Sequence, residues 1–379
     1  MKKAAALFLC FLLVVLFAVP AFSLEYHDTS DAVSVLLMEA KTGTVLFEKN
    51  ADQPLPPASV TKVMTILLIL EAIDAGKINT ADTVTVSDYA AGMGGSQVYL
   101  KAGETMTVDE LLKSVVVASA NDAAVALAEY LCGSEASFVA RMNERAGELG
   151  MKNTVFKNTN GLDDSDEGHL TSARDIALMS REVLKHELIF RYSTIWMDSI
   201  RNGAFGLTNT NRLIRFYPGA NGLKTGSTQK AGFCISATAM RDELQLIAVI
   251  MGASSRDGRN ACAVSLFDYG FANYTYCRFA GGNPDPIPIR GGETSCLCAE
   301  YAPFEIVLEK GKEKDVRSEI TLQTDLHAPI CTGDCVGTVT YSTADGVIGE
   351  VPVIACEEIK AITFGGILRQ MLGKVTAFS

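Results

Sequence analysis

The 379-residue sequence predicts an α+β fold with sheet and helices segregated, followed by a small all-β domain and an amphipathic C-terminal helix. Three observations carry that reading. A hairpin-like alternation opens the body of the chain, a long block of helical spacing follows, and short β-rich runs return on either side of a Pro-rich stretch.

The first segment stands apart from the fold. Lys2 and Lys3 precede a charge-free apolar run over 4–19, and Pro20-Ala21-Phe22-Ser23 ends in the small-x-small pattern that signal peptidase cuts. Residues 1–23 read as a signal peptide, the other reading being an uncleaved membrane anchor. On both readings the body is exported, and the expected location is the outer face of the cytoplasmic membrane.

Over 32–48, Val33, Val35 and Leu37 alternate, Lys41-Thr42-Gly43 is a turn, and Val45 and Phe47 alternate on the return, which predicts a hairpin. After Pro54-Leu55-Pro56-Pro57, residues 58–75 read as a helix so apolar between Val63 and Leu70 that it must be buried on all sides. Helices follow over 107–117 and 122–131, broken at Ala118-Ser119-Ala120-Asn121, and then over 135–149 and 172–184. Strands are expected at 223–225, 233–239 and 244–251, with a closing helix over 258–271. These elements make up a catalytic-sized domain over 24–278.

Alternating prolines in Asn283-Pro284-Asp285-Pro286-Ile287-Pro288 favour extended backbone, so 279–288 reads as a linker. Short alternating runs over 289–359 predict a small β-sandwich. In the tail, 360–379, Phe364, Ile367, Leu368, Met371, Leu372 and Val375 fall on one helical stripe. Such a helix suits a membrane interface, giving peripheral membrane contact, or alternatively packs on the β-domain; Gly365, Gly366 and Gly373 weaken it in isolation.

Composition excludes several classes. With 48% hydrophobic and 20% charged residues the chain is neither disordered nor collagen-like, and a net charge of -11 without a Lys/Arg cluster argues against nucleic acid as a partner. Ten cysteines include Cys10 in the leader, so an odd number, nine, remains in the body. Cys296-x-Cys298 and Cys331-x3-Cys335 lack the tight paired knuckles of a structural zinc site, which favours disulfides or free thiols over metal.

Three motifs carry the chemistry: Ser59-Val60-Thr61-Lys62, Ser119-Ala120-Asn121 and Lys224-Thr225-Gly226. Each alone is weak, since an S-x-x-K tetrad arises about once by chance in such a chain. Lys41-Thr42-Gly43 and Ser227-Thr228-Gln229-Lys230 are decoys within this very sequence. Context separates them. Ser59 and Lys62, three apart at the start of a buried helix, share a face, so that a neutral amine can take the hydroxyl proton. Burial depresses an amine's pKa, and the Ser59 N–H is placed to stabilise an oxyanion. Read alone, the pair is equally a capping Ser and a surface Lys, and Asn121 a helix cap. Lys224-Thr225-Gly226 starts a strand, where a lysine, a hydroxyl and a side-chain-free position suit a carboxylate-ended peptide pairing along a sheet edge.

The ordered set resembles the penicillin-binding serine acyltransferases, and within them the low-molecular-mass D-alanyl-D-alanine carboxypeptidases, over nearly the whole chain. Pro57 to Thr65, Asn160-Gly161-Leu162, Thr171-Ser172-Ala173-Arg174-Asp175 and Gly222 to Gly226 add to the match. The resemblance implies a β-lactamase/transpeptidase-like catalytic domain, an antiparallel sheet with helices. It implies removal of the terminal D-alanine from peptidoglycan stem pentapeptides through an acyl-enzyme, without metal or organic cofactor, and covalent inhibition by β-lactams. Ser59 would form the ester, Lys62 act as base, and Ser119 relay a proton to the leaving group. Asn121 would hold a peptide amide, and Lys224 and Thr225 would orient the terminal carboxylate. Gly226 would let the substrate backbone close in, and the N–H groups of Ser59 and Ser227 would form the oxyanion hole. Arg259 matches the family's carboxylate-binding arginine. The alternatives are a serine β-lactamase or related esterase, and a catalytically idle cell-wall-binding protein. Ser-Ala-Asn in place of the Ser-Asp-Asn of class A β-lactamases favours the carboxypeptidase. Glu167-Gly168-His169-Leu170-Thr171 partly imitates the loop of a deacylating glutamate, but Thr171 stands where that loop has Asn, and the acidic run 163–167 reads as solvated.

Overall fold

The computed structural model describes residues 26–162 and 168–368. The predicted signal peptide, the acidic run 163–167 with Glu167, and the tail beyond residue 368 lie outside the described residues.

The hairpin forms as β1 (Ser34–Glu39) and β2 (Val45–Lys49). Its turn is held by the Glu39 carboxylate, which accepts from the backbone N–H groups of Lys41 and Thr42. A 3-10 turn (Ala58–Thr61) leads into α1 (Lys62–Asp74), and α2 (Val108–Val117), α3 (Asn121–Cys132), α4 (Glu135–Glu148) and α5 (Ala173–Val183) follow. Their starts are set by sequence. Thr107 and Glu110 form a reciprocal capping box, and Ser134 and Ser172 cap α4 and α5. Then come β3 (Ala220–Thr228), β4 (Gly232–Arg241), β5 (Leu244–Ala253) and α6 (Arg256–Asn273), each longer than its sequence signal.

The first domain returns its later strands to its first: the five-stranded antiparallel sheet runs β2-β1-β5-β4-β3. Period-two alternation divides its residues between two cores. Leu36, Met38, Ile247, Val249 and Met251 face α1 and the helical block, whereas Val35, Leu37, Leu246, Ala248 and Ile250 face α6. Helix α1 is enclosed by the sheet side and its neighbouring helices, which is why Val63 to Leu70 are all buried and no polar stripe exists.

The junction to the second domain departs from expectation. β6 (Tyr274–Phe279) lies inside the predicted catalytic span except for its last residue, but pairs with β8 (Phe304–Glu309), beyond β7 (Ala299–Tyr301). Tyr276 and Val307 pack together in the α6 core. The stretch 279–288 is not a free spacer: Ile287–Pro288 pairs with Cys296–Leu297, and Ile287 is buried in the C-terminal core. Apolar pairing outweighs the local preference of the prolines for an unpaired chain.

With β9 (Arg317–Leu322), β10 (Cys335–Thr343) and β11 (Gly346–Ala355), the second domain forms a four-stranded sheet ordered β7-β11-β10-β9. Phe304 stacks on Tyr341 at 4.4 Å, with Phe279 beside them. The nine described cysteines are free thiols, and five of them are exposed here: Cys296, Cys298, Cys331, Cys335 and Cys356. A short helical run at 364–368 begins the tail, and Phe364, Ile367 and Leu368 stand exposed rather than packed on the β-domain.

Candidate active site

The three motifs, distant in sequence, meet at one cleft between the helical block and β3. Ser59 sits half-buried on the 3-10 turn and Lys62 is the first residue of α1, so one turn brings the hydroxyl and the amine together. Lys62 Nζ donates to Ser59 Oγ at 2.9 Å, to Asn121 Oδ1 at 2.5 Å and to the Asn160 carbonyl at 2.8 Å. The side chain is fully buried, and burial pushes its pKa well below that of a free lysine. The nearby Lys224 ammonium pushes in the same direction, and Asp122 opposes it. A surface lysine is thereby ruled out.

Ser119 occupies the break between α2 and α3, and Asn121 is the first residue of α3. Ser119 adopts φ 63, in the left-handed region, and lines the cleft. Asn121 is not the helix cap; that place belongs to Ala120. Its amide is engaged at both ends, accepting from Lys62 and donating to the Gly94 carbonyl at 2.7 Å. The substrate-amide contact expected of Asn121 thus competes with a structural duty to the lysine.

β3 forms the opposite wall. Lys224, also buried, donates to the Thr225 carbonyl at 2.9 Å, and burial, with the Arg259 guanidinium nearby, lowers its pKa to about 7. Thr225 Oγ1 donates to Thr210 Oγ1 at 2.8 Å, and Ser227 is exposed at the cleft mouth. Arg259, 3% exposed, enters from α6 beneath the cleft and touches the Cys234 carbonyl and Asn260 Oδ1. Burial lowers its pKa only to about 10, so it stays cationic at neutral pH. The cleft, about 420 Å³, is lined by Ser59, Ser119, Thr225, Gly226, Ser227 and Arg259 of the predicted set.

Known proteins resemble this chain across both domains. Residues 22–255 match the family model described as D-alanyl-D-alanine carboxypeptidase. The chain belongs to that family. Residues 298–361 match the C-terminal domain of penicillin-binding protein 5. Over their full lengths the chain is 40% identical to the D-alanyl-D-alanine carboxypeptidase DacF of Bacillus subtilis. It is 32% identical to DacC of Escherichia coli over 93% of this chain and 90% of that one. Penicillin-binding protein 5 of Haemophilus influenzae superposes with a TM-score of 0.80 at 28% identity, covering 89% of this chain and 99% of that structure. The protein is a serine-type D-Ala-D-Ala carboxypeptidase of the low-molecular-mass penicillin-binding class, with the α+β catalytic domain and all-β C-terminal domain that the resemblance implied.

Sequence reasoning missed several parts of the carboxypeptidase site. The Asn160 carbonyl was hidden because the motif Asn160-Gly161-Leu162 advertises a side chain while the backbone makes the contact. Asp122, directly after Ser-Ala-Asn, accepts from the N–H groups of Val98 and Leu100 and pins the loop whose Ser96 lines the cleft. Trp196, Thr210, Arg212 and Arg256 also line the cleft, and no motif announced them.

Proposed function

We propose that the carboxypeptidase cleaves peptides ending in D-Ala-D-Ala, such as peptidoglycan stem pentapeptides, with the roles that follow. The observation that carries the assignment is the buried Lys62 amine 2.9 Å from Ser59 Oγ. The neutral amine takes the Ser59 proton as Oγ attacks the penultimate carbonyl, and the N–H groups of Ser59 and Ser227 hold the oxyanion. Collapse expels D-alanine, whose nitrogen receives a proton through Ser119, and water then hydrolyses the ester. Lys224, Thr225 and Arg259 hold the terminal carboxylate. A β-lactam acylates the same serine.

Two further parts of this reading concern location. Residues 1–23 direct export, and the tail from 360 rests on the outer membrane face, supported by the exposed Phe364, Ile367 and Leu368 at its start. Release of D-alanine from a stem-peptide mimic by wild type and by Ser59→Ala tests the catalytic assignment: equal release would reject it. A persistent adduct with fluorescent penicillin separates this enzyme from a β-lactamase, which would turn the label over, and from an idle binding protein, which would take none.

A further inference from the structure

We propose that Thr61 and His169 are positioning residues that hold the nucleophile turn in its reactive shape. Ala58, the residue before Ser59, has φ 48, a conformation that only its surroundings can impose on a non-glycine residue. Its carbonyl is fixed by two contacts. A Cβ on Gly161 would overlap the Ala58 oxygen, so the Asn160-Gly161 backbone lies directly against it, and that same backbone supplies the Asn160 carbonyl to Lys62. On the same side, Thr61 Oγ1 donates to the Ala58 oxygen at 2.8 Å and lies against Gly161.

The donor directions in this chain of bonds are fixed. Backbone N–H groups only donate, so the Lys157 N–H, 3.0 Å from His169 Nδ1, leaves that nitrogen unprotonated and places the ring proton on Nε2. His169 Nε2 therefore donates to Thr61 Oγ1, 2.7 Å away, and the hydroxyl's single proton is directed to Ala58. The ring is 5% exposed and packs edge-on against Phe156, so it has little freedom to turn. Neither side chain lines the cleft residues that would meet substrate. They act through the backbone: the chain Lys157 N–H, His169, Thr61, Ala58 carbonyl stiffens the one peptide that orients Ser59 and its N–H.

The test uses the full chain and the second-order rate of acylation by a fluorescent penicillin, with thermal unfolding measured in parallel. Thr61→Val removes the hydroxyl's bonds to the Ala58 oxygen and to His169 Nε2, and we expect acylation to fall about 10- to 100-fold, the effect of a small misplacement of the nucleophile. Thr61→Ser keeps the hydroxyl and restores acylation to near wild type. His169→Ala lowers the rate, and His169→Gln, which retains a donor at the ε position, recovers part of it. The double variant Thr61→Val/His169→Ala is no slower than Thr61→Val, because both act through one chain. A folded Thr61→Val that acylates at the wild-type rate overturns the proposal, as does failure of Thr61→Ser to rescue or an additive double variant. If Thr61→Val does not fold, the comparison of His169→Ala with His169→Gln decides: equal rates reject the proposal.

Discussion

Gly226 and Ser59 approach so closely that a Cβ on Gly226 would stand 2.7 Å from the Ser59 backbone nitrogen. The same atom would lie 2.9 Å from the Val60 nitrogen and the Pro57 carbonyl. The glycine of the third motif is therefore required by the first: any side chain there would cover the N–H assigned to the oxyanion hole. Gly226→Ala is expected to lose about 10²- to 10³-fold in acylation, the cost of one oxyanion donor. Stopped-flow labelling with a fluorescent penicillin measures it, and a loss below threefold would remove the Ser59 N–H from the mechanism.

Lys62 must be neutral to act as base, and both its burial and the Lys224 ammonium lower its pKa. Acylation should thus rise with pH as Lys62 gives up its proton. Lys224→Met removes the positive neighbour, so the Lys62 pKa climbs and the acid limb of the pH–rate profile moves to higher pH. A limb displaced to lower pH would show that Lys224 does not act on Lys62 in this way. Lys62→Gln should abolish the pH-dependent acylation altogether.

Arg212 lines the cleft with a side chain still half open to solvent, and its ion-pair partner among the described residues, Asp257, is distant at 3.8 Å. It is free to swing onto an incoming carboxylate, beside the fixed Arg259. Arg212→Ala should weaken reaction with a β-lactam carboxylic acid about tenfold, in line with loss of one hydrogen bond to a charged group, and leave its methyl ester unchanged. Acylation rates for the acid and ester pair give the answer. An equal loss for both would mean that Arg212 shapes the cleft without reading the charge.

The exposed apolar residues that open the tail give a direct expectation for membranes. The full chain should co-sediment with liposomes, and a variant ending at Ile359 should not. Anionic and neutral vesicles compared at two salt concentrations separate charge from apolar insertion. Equal sedimentation of both proteins would reject the tail as an anchor.

Some of this site was legible because the residue types are rare in their contexts. A lysine leading into the run Val63 to Leu70 had to be buried, and a buried amine three residues from a serine is a base. Other parts left no trace. The prolines of 279–288 argued for a spacer, while the burial of Ile287 and the pairing of β6 with β8 extend the second domain across the predicted boundary. Asn121 reads equally as a cap or a ligand, and only its contacts with Lys62 and Gly94 show what its amide holds.

The sequence by itself determined the order of the three motifs, the local helix and strand signals around them, and the identity of the groups able to do acyl transfer. Those are short-range properties, set by spacing within a turn or a strand. The tertiary structure alone decided why Gly226 can be nothing else and which carbonyls strip Lys62 of solvent. Such contacts join residues 59 or more positions apart, and chain packing, not local preference, brings them together.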